Sequence, residues 1–153
     1  MITTTPHATG TDVVLSVYEQ GLNLRDRTVF DALVAPDYVN HESTGLAVTS
    51  IGPQNWVDVV ERLGSSFPDV SWRVDRTIEA GNQVWLEATM SGTHRGPVLG
   101  FPPTGRRFEV RQVHMLRLEA GRIAEHWAVR DDLGMLVQLG LYGGPTPPSR
   151  DSL

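Results

Sequence analysis

Residues 122–140, "RIAEHWAVRDDLGMLVQLG", put two carboxylates, Asp131 and Asp132, where an apolar-lined strand runs into an apolar helix. A carboxylate at such a junction has two possible tasks. It can cap the helix, because Asp accepts hydrogen bonds from the free N–H groups of a first turn and gains from the helix dipole. Alternatively it can enter an apolar pocket, where desolvation raises its pKa and suits it to general acid/base work near neutral pH. Two adjacent acids allow both tasks at once.

Alternation along the neighbouring strands supplies possible partners. On 106–119, Phe108, Val110, Gln112, His114, Leu116 and Leu118 share one face, which is apolar apart from Gln112 and His114. On 122–130, Ile123, Glu125, Trp127 and Val129 share a face whose count continues to Asp131, while Arg122, Ala124, His126, Ala128 and Arg130 take the other. On 83–94, His94 has the parity of Val84, Leu86, Ala88 and Met90, and a bulge near Gly92 would reverse it. Gln112, His114, Glu125, Asp131 and His94 are thus expected on apolar faces. A carboxylate that removes a proton beside a carbonyl, with His or Gln holding the developing oxyanion, needs no cofactor.

Each of these residues has a plainer alternative. His114 can be a satisfied core histidine, His94 can close a strand beside a flexible loop, and Glu125 can sit at the sheet margin paired with Arg. Trp56, Trp72 and Trp127 suit a core, though Trp72 and Trp127 could form a flat wall for a planar ligand. His41, His94, His114 and His126 show no His-x-His or His-x-x-x-His spacing, so no metal is predicted. Nor does a glycine-rich phosphate loop mark a nucleotide cofactor.

The elements that must position these groups follow from periodicity. Val14, Val17, Tyr18 and Leu22 fall at helical spacing behind a cap at Thr11 or Asp12. A second short helix carries Val29, Phe30, Leu33 and Val34 and stops at Pro36. Residues 37–43, "DYVNHES", read as a short strand or edge segment. A third helix spans 52–64, with Pro53 in its first position and Gly64 at its end. The period then becomes two: 70–80 places Val70, Trp72, Val74 and Ile78 on one face, and strands at 83–94, 106–119 and 122–130 follow. A last helix covers 131–139. Three helices followed by an antiparallel meander give an α+β fold, with helices over the concave face of a curved sheet and a pocket between. Residues 1–10 are expected to be a flexible arm, 11–140 one domain, and 141–153 a flexible Pro/Ser-rich tail.

Composition narrows the partners. The chain has 153 residues, 40% hydrophobic content and a net charge of −5, which suits one ordinary domain and argues against nucleic acid. There are no cysteines, hence no disulfide or thiolate site, and a cytoplasmic protein is the natural reading. No apolar run approaches a membrane span and no signal peptide is visible. The outward sheet face, with Val113, Met115, Ala124 and Ala128, suggests a homodimer.

"SGTHRG" (91–96), "FPPTGRRFEV" (101–110) and "GRIAEHWAVRDDLGMLVQLG" (121–140), in this order, resemble the SnoaL-like polyketide cyclases, or ester cyclases, of the nuclear-transport-factor-2-like superfamily. "YVNHES" and "FPDVSW" (67–72) are similar to earlier segments of that family. The resemblance covers roughly residues 12–140. It implies a cone-shaped α+β barrel with a deep apolar pocket, and a cofactor-free intramolecular aldol ring closure on a small hydrophobic polyketide-like substrate. It implies Asp131, four residues after Trp127, as the base, with His114 as its catalytic partner. Gln112, Trp127, Trp72, Phe108, His94, Asn40, His41 and Glu125 would line the substrate. Two alternatives stay open. One is epoxide opening in the same pocket, marked by a second titrating group. The other is a non-catalytic binding protein, marked by a pocket carboxylate already neutralised by Arg.

Overall fold

The computed structural model describes residues 8–42 and 48–143. The expected arm and tail therefore lie largely outside the described residues, as does Ser43 at the end of the expected edge segment. A first helix, α1 (Gly10–Ser16), runs directly into a π-helical stretch over Val17–Asn23. Then come α2 (Arg27–Leu33), β1 (Val34–Asn40), α3 (Pro53–Ser66), β2 (Ser71–Ala80), β3 (Gln83–Thr93), β4 (Arg107–Glu119), β5 (Arg122–Arg130) and α4 (Asp132–Gln138). The strands form one curled, open sheet in the order β1-β5-β4-β3-β2. All neighbours are antiparallel except β1, which runs parallel to β5. This is the expected α+β architecture.

The helices close the concave face because their apolar stripes match it. Val14, Val17, Tyr18 and Leu22 are all buried, as are Trp56 and Val57 of α3, and they meet Val84, Leu86, Ala88, Val110 and Leu116 from the sheet. The first cap is Thr9 rather than Thr11 or Asp12. Its hydroxyl accepts from the Asp12 N–H while Asp12 bonds back to the Thr9 N–H, a capping box. α3 is preceded by Gly52 at its N-cap, where φ is 72° and a Cβ would lie 2.6 Å from the Pro36 carbonyl oxygen. Its N–H donates to Tyr38 at 2.9 Å, which locks the helix start onto β1.

Several expectations need correction. Pro36 does not follow a helix directly, because Val34 already begins β1, an edge strand that tolerates a missing N–H donor. Gly64 does not end α3, which continues to Ser66. Ile78 is 71% exposed although alternation puts it on the Trp72 face. The cause is an extra residue, Asp75, between the pairs Val74↔Ala88 and Arg76↔Glu87, and one inserted residue reverses every later side chain. The same event in β5 matters more. Leu118 pairs with Ile123 but Arg117 pairs with Glu125, so Ala124 is the extra residue. Ile123 and Ala124 are both buried, and beyond them His126 turns inward while Trp127 and Val129 turn out.

Candidate active site

A pocket opens between the π-helical stretch, α3 and the concave sheet face, with about 570 Å³ of empty space including its mouth. Tyr18, Tyr38, Trp56 and Trp72 build its walls, and Leu22, Leu63 and Met90 fill between them. The π-helical stretch carries Tyr18 to within 5.5 Å of the His114 ring, in an edge-on contact. Burial pushes the hydroxyl pKa values of Tyr18 and Tyr38 well above their usual value, so both phenols are neutral.

A chain of hydrogen bonds crosses this apolar surface. Trp72 Nε1 donates to Gln112 Oε1 at 3.2 Å, and Gln112 Nε2 donates to the Met90 sulfur at 3.0 Å. His114 Nε2 lies 3.0 Å from the same Gln112 oxygen, and His114 Nδ1 lies 2.8 Å from His126 Nε2. Unbroken alternation on β4 places Gln112 and His114 here, and the β5 bulge supplies His126. Desolvation is the main force on both imidazoles. It holds His114 well below the usual histidine pKa, with His126 and Arg130 adding to it. It brings His126 down to about 3, with Arg130 and His41 adding to it. Both rings are neutral at pH 7.

At the mouth, Glu42 and Arg130 form a buried ion pair at 2.9 Å, and Arg130 also reaches Asp132 at 3.4 Å. Burial raises the Glu42 pKa, and Arg130 opposes that rise. Glu42, His114 and His126 are the one group of ligand-type residues close enough to hold a metal ion among the described residues. Most of their donor set is already committed. His114 has both nitrogens in hydrogen bonds, and a cation on Glu42 would face the Arg130 guanidinium.

The structure sorts the predicted site residues into two groups. Gln112, His114, Trp72 and Asn40 line the pocket. Asp131 does not: it is exposed and caps α4, its carboxylate accepting from the Gly134 N–H at 2.8 Å. Gly134 suits this cap, since a Cβ there would lie 2.2 Å from the Asp131 carboxylate. The inward placement of Asp131 is corrected because the Ala124 bulge inverts the parity on which it rested. Trp127 and Glu125 are turned outward for the same reason. Trp127 stacks on His41 at 4.5 Å, and Glu125 bonds Arg117 and, at 3.1 Å, His41. None of these three lines the pocket. Phe108 packs in the core against Phe67, with ring centroids 4.8 Å apart. No bulge intervenes near Gly92, and His94 is fully buried as its parity required, but it anchors the 95–105 loop instead of the pocket. Its Nδ1 accepts from the Thr104 N–H at 3.2 Å. On the outer face, Ala124 and Ala128 are also corrected: Ala124 is buried, and Ala128 pairs with inward-facing His114.

His126, Glu42, Arg130, Tyr18 and Tyr38 are pocket residues that the site assignment from sequence missed. Tyr18 had a signal, since it lies on the apolar stripe of the first helix. His126 had none, because a bulge leaves no mark in a strand whose two adjacent inward residues are simply Ile and Ala.

The comparisons with known proteins agree with this architecture. The family profile described as SnoaL-like polyketide cyclase matches residues 12–139. The nogalonic acid methyl ester cyclase of Streptomyces nogalater is 32% identical over 112 residues, spanning 72% of this chain and 82% of that protein. Among solved structures, IdmH of Streptomyces antibioticus, a candidate polyketide cyclase, superposes with a TM-score of 0.76 at 33% identity, over 86% of this chain and 99% of IdmH. TsrD of Streptomyces laurentii gives 0.79 at 26% identity, over 90% and 99% of the two chains. With a match running through nearly the whole described domain, the chain belongs to the SnoaL-like polyketide cyclases and is an enzyme of that cyclase type.

Proposed function

We propose that this enzyme closes a ring in a hydrophobic polyketide-like ester by intramolecular aldol chemistry, using acid/base groups of the pocket and no cofactor. The observation that carries this reading is the neutral, hydrogen-bonded His114–His126 pair set among aromatic walls. An activated carbon flanked by carbonyls loses its proton to a neutral imidazole, and its charge spreads over the neighbouring oxygens. In this reading the histidine pair takes the role that the resemblance gave to Asp131, which is held in its cap. The relatives support the substrate class, since the Streptomyces nogalater protein is named for nogalonic acid methyl ester. Incubation with nogalonic acid methyl ester is expected to yield a ring-closed isomer of unchanged mass, equally well after exhaustive chelation. Unchanged substrate would overturn the reading.

Glu42 favours a second reading in the same pocket. Epoxide opening needs an acid beside a base, and Glu42 is a buried carboxylate with a raised pKa close to both histidines. Faster turnover of an epoxide on the same skeleton than of the open-chain ester would favour it. The neutralised carboxylate that would mark a pure binding protein is present as Glu42–Arg130, but the histidine pair stands outside that ion pair. For the assembly we infer a homodimer through the outer sheet face. There Trp85, Met115 and Trp127 are register partners in one row, and both tryptophans are exposed. A monomer in sedimentation at micromolar concentration would overturn this.

A further inference from the structure

The hydrogen-bond chain in the pocket has a direction, and two groups with a single hydrogen-bonding capacity impose it. The Trp72 indole can only donate, so the atom of Gln112 that meets it must be the amide oxygen. The Met90 thioether can only accept, so the atom that meets it must be the amide NH₂. Gln112 is therefore held in one orientation from both ends. Its oxygen accepts a second bond, which requires a proton on His114 Nε2. A neutral His114 then carries a lone pair on Nδ1, which requires a proton on His126 Nε2. A neutral His126 is left with a lone pair on Nδ1. That nitrogen is buried and has no hydrogen-bond partner among the described residues.

From this geometry we infer that His126, through Nδ1, is the proton acceptor of the cyclisation, and that Trp72, Met90, Gln112 and His114 are positioning residues that fix its tautomer. The inference rests on the acid/base reading above and deepens it. The C–H bond of the activated carbon breaks, its proton goes to His126 Nδ1, and its electron pair delocalises onto the flanking carbonyl oxygens. The enolate carbon then attacks the acceptor carbonyl carbon. As the C–C bond forms, the carbonyl π pair becomes an alkoxide, which takes the proton back from His126. The base is regenerated and the product is an isomer of the substrate.

The surroundings suit an acceptor that is charged only in passing. Arg130 on the same strand, Glu42 beyond β1, His114 on β4, and the neutral Tyr18 and Tyr38 line the pocket with this ring, while His41 acts on it from the outer face of the sheet. Alone, a buried imidazolium beside Arg130 is disfavoured. Beside an enolate it becomes half of an ion pair, so the proton transfer is favoured only with substrate in place.

The first test needs no substrate. Nitrogen-15 spectra of the wild-type protein are expected to show both His114 and His126 protonated at Nε2 and bare at Nδ1. A proton on His126 Nδ1 overturns the inference. Gln112→Leu is expected to mix the tautomers of both rings, which a purely structural role for Gln112 would not do. Tautomers unchanged in that variant overturn the positioning role. The second test uses nogalonic acid methyl ester in deuterated water and follows both ring closure and deuterium wash-in at the activated carbon. His126→Gln keeps a donor toward His114 but has no basic group in place of Nδ1. It is expected to lose about 100-fold or more in both rates with KM little changed. A His126→Gln enzyme within a few-fold of wild type, with His114→Gln inactive, would make His114 the acceptor and overturn the inference. Activity lost on chelation and restored by zinc would make Nδ1 a ligand instead of a base, and would overturn it equally. Wash-in without ring closure removes the cyclase reading and spares the base, whereas neither rate in wild type removes both.

Discussion

The two sides of the sheet carry the same three residue types in contact with one another. Inside, His126 sits near Trp56 (5.6 Å between ring centroids) and close to Glu42. Outside, His41 stacks on Trp127 and bonds Glu125 at 3.1 Å. Their electrostatics run opposite ways. Burial raises the Glu42 pKa, while Arg117 and His41 lower that of Glu125. Inside, a charge is costly and each proton is assigned by hydrogen bonds. Outside, water screens the charges and the contact is an ordinary surface pair. Residue type alone does not set a group's electrostatics: the face of the sheet decides whether His and Glu are desolvated pocket groups or surface.

This contrast can be broken in steps. The largest effect is expected from Arg130→Met, which strands Glu42 as a buried charge and should cost about 3–5 kcal/mol in urea denaturation. Adding Glu42→Gln should recover most of that loss. An unchanged midpoint in the single variant would mean that the pair is effectively solvated.

Acid comes next. His126 falls from 6.5 unfolded to about 3 folded, and His114 shifts in the same direction. The unfolded chain therefore binds more protons below pH 6.5, and stability falls as pH drops through that range. Each histidine contributes up to about tenfold in the folding constant per pH unit. Glu42, raised by burial, works in the opposite direction and trims the slope. His126→Gln should remove one histidine's share of the slope between pH 6.5 and 4.5. An identical slope in that variant would refute the buried neutral state.

Smaller effects belong to the outside. Asp131→Ala should cost about 1 kcal/mol as a lost helix cap, whereas Asp131→Asn keeps a capping oxygen and should retain near-normal stability and turnover. A 100-fold loss of turnover in Asp131→Asn would return the base to that carboxylate. Glu125→Gln, at the exposed pair, should move stability by less than about 1 kcal/mol. A larger shift would erase the distinction between the two faces.

Much of this was legible from period and punctuation. The alternation of β4 put Gln112 and His114 inside, and the helical stripe of Tyr18 and Leu22 and the bounds of β5 followed from spacing alone. Gln112, His114, Trp72 and Asn40 line the pocket, and the outward placement of Asp131, Trp127 and Glu125 has one physical cause. An extra residue in a strand costs a single ladder position, and any residue type tolerates it, so it leaves no compositional trace. Asp131, Trp127 and Glu125 were assigned inward through an uninterrupted count from Ile123, and one uncounted residue moved all three. The same shift hid His126.

For protein engineering, the bulge at Ala124 makes chain length a variable as powerful as chemistry. Removing that one alanine would leave every functional side chain in the polypeptide. If β5 kept its pairing beyond the deletion point, Ile123 would stay inward opposite Leu118, directly before outward Glu125, and only the bulge would be lost. If the pairing instead slid by one residue, Glu125, Trp127 and Val129 would rotate inward, and the histidine pair would be dismantled without a substitution. Single-residue deletions and insertions along 123–125 therefore offer a way to exchange the side chains of this pocket that substitution scanning would never sample.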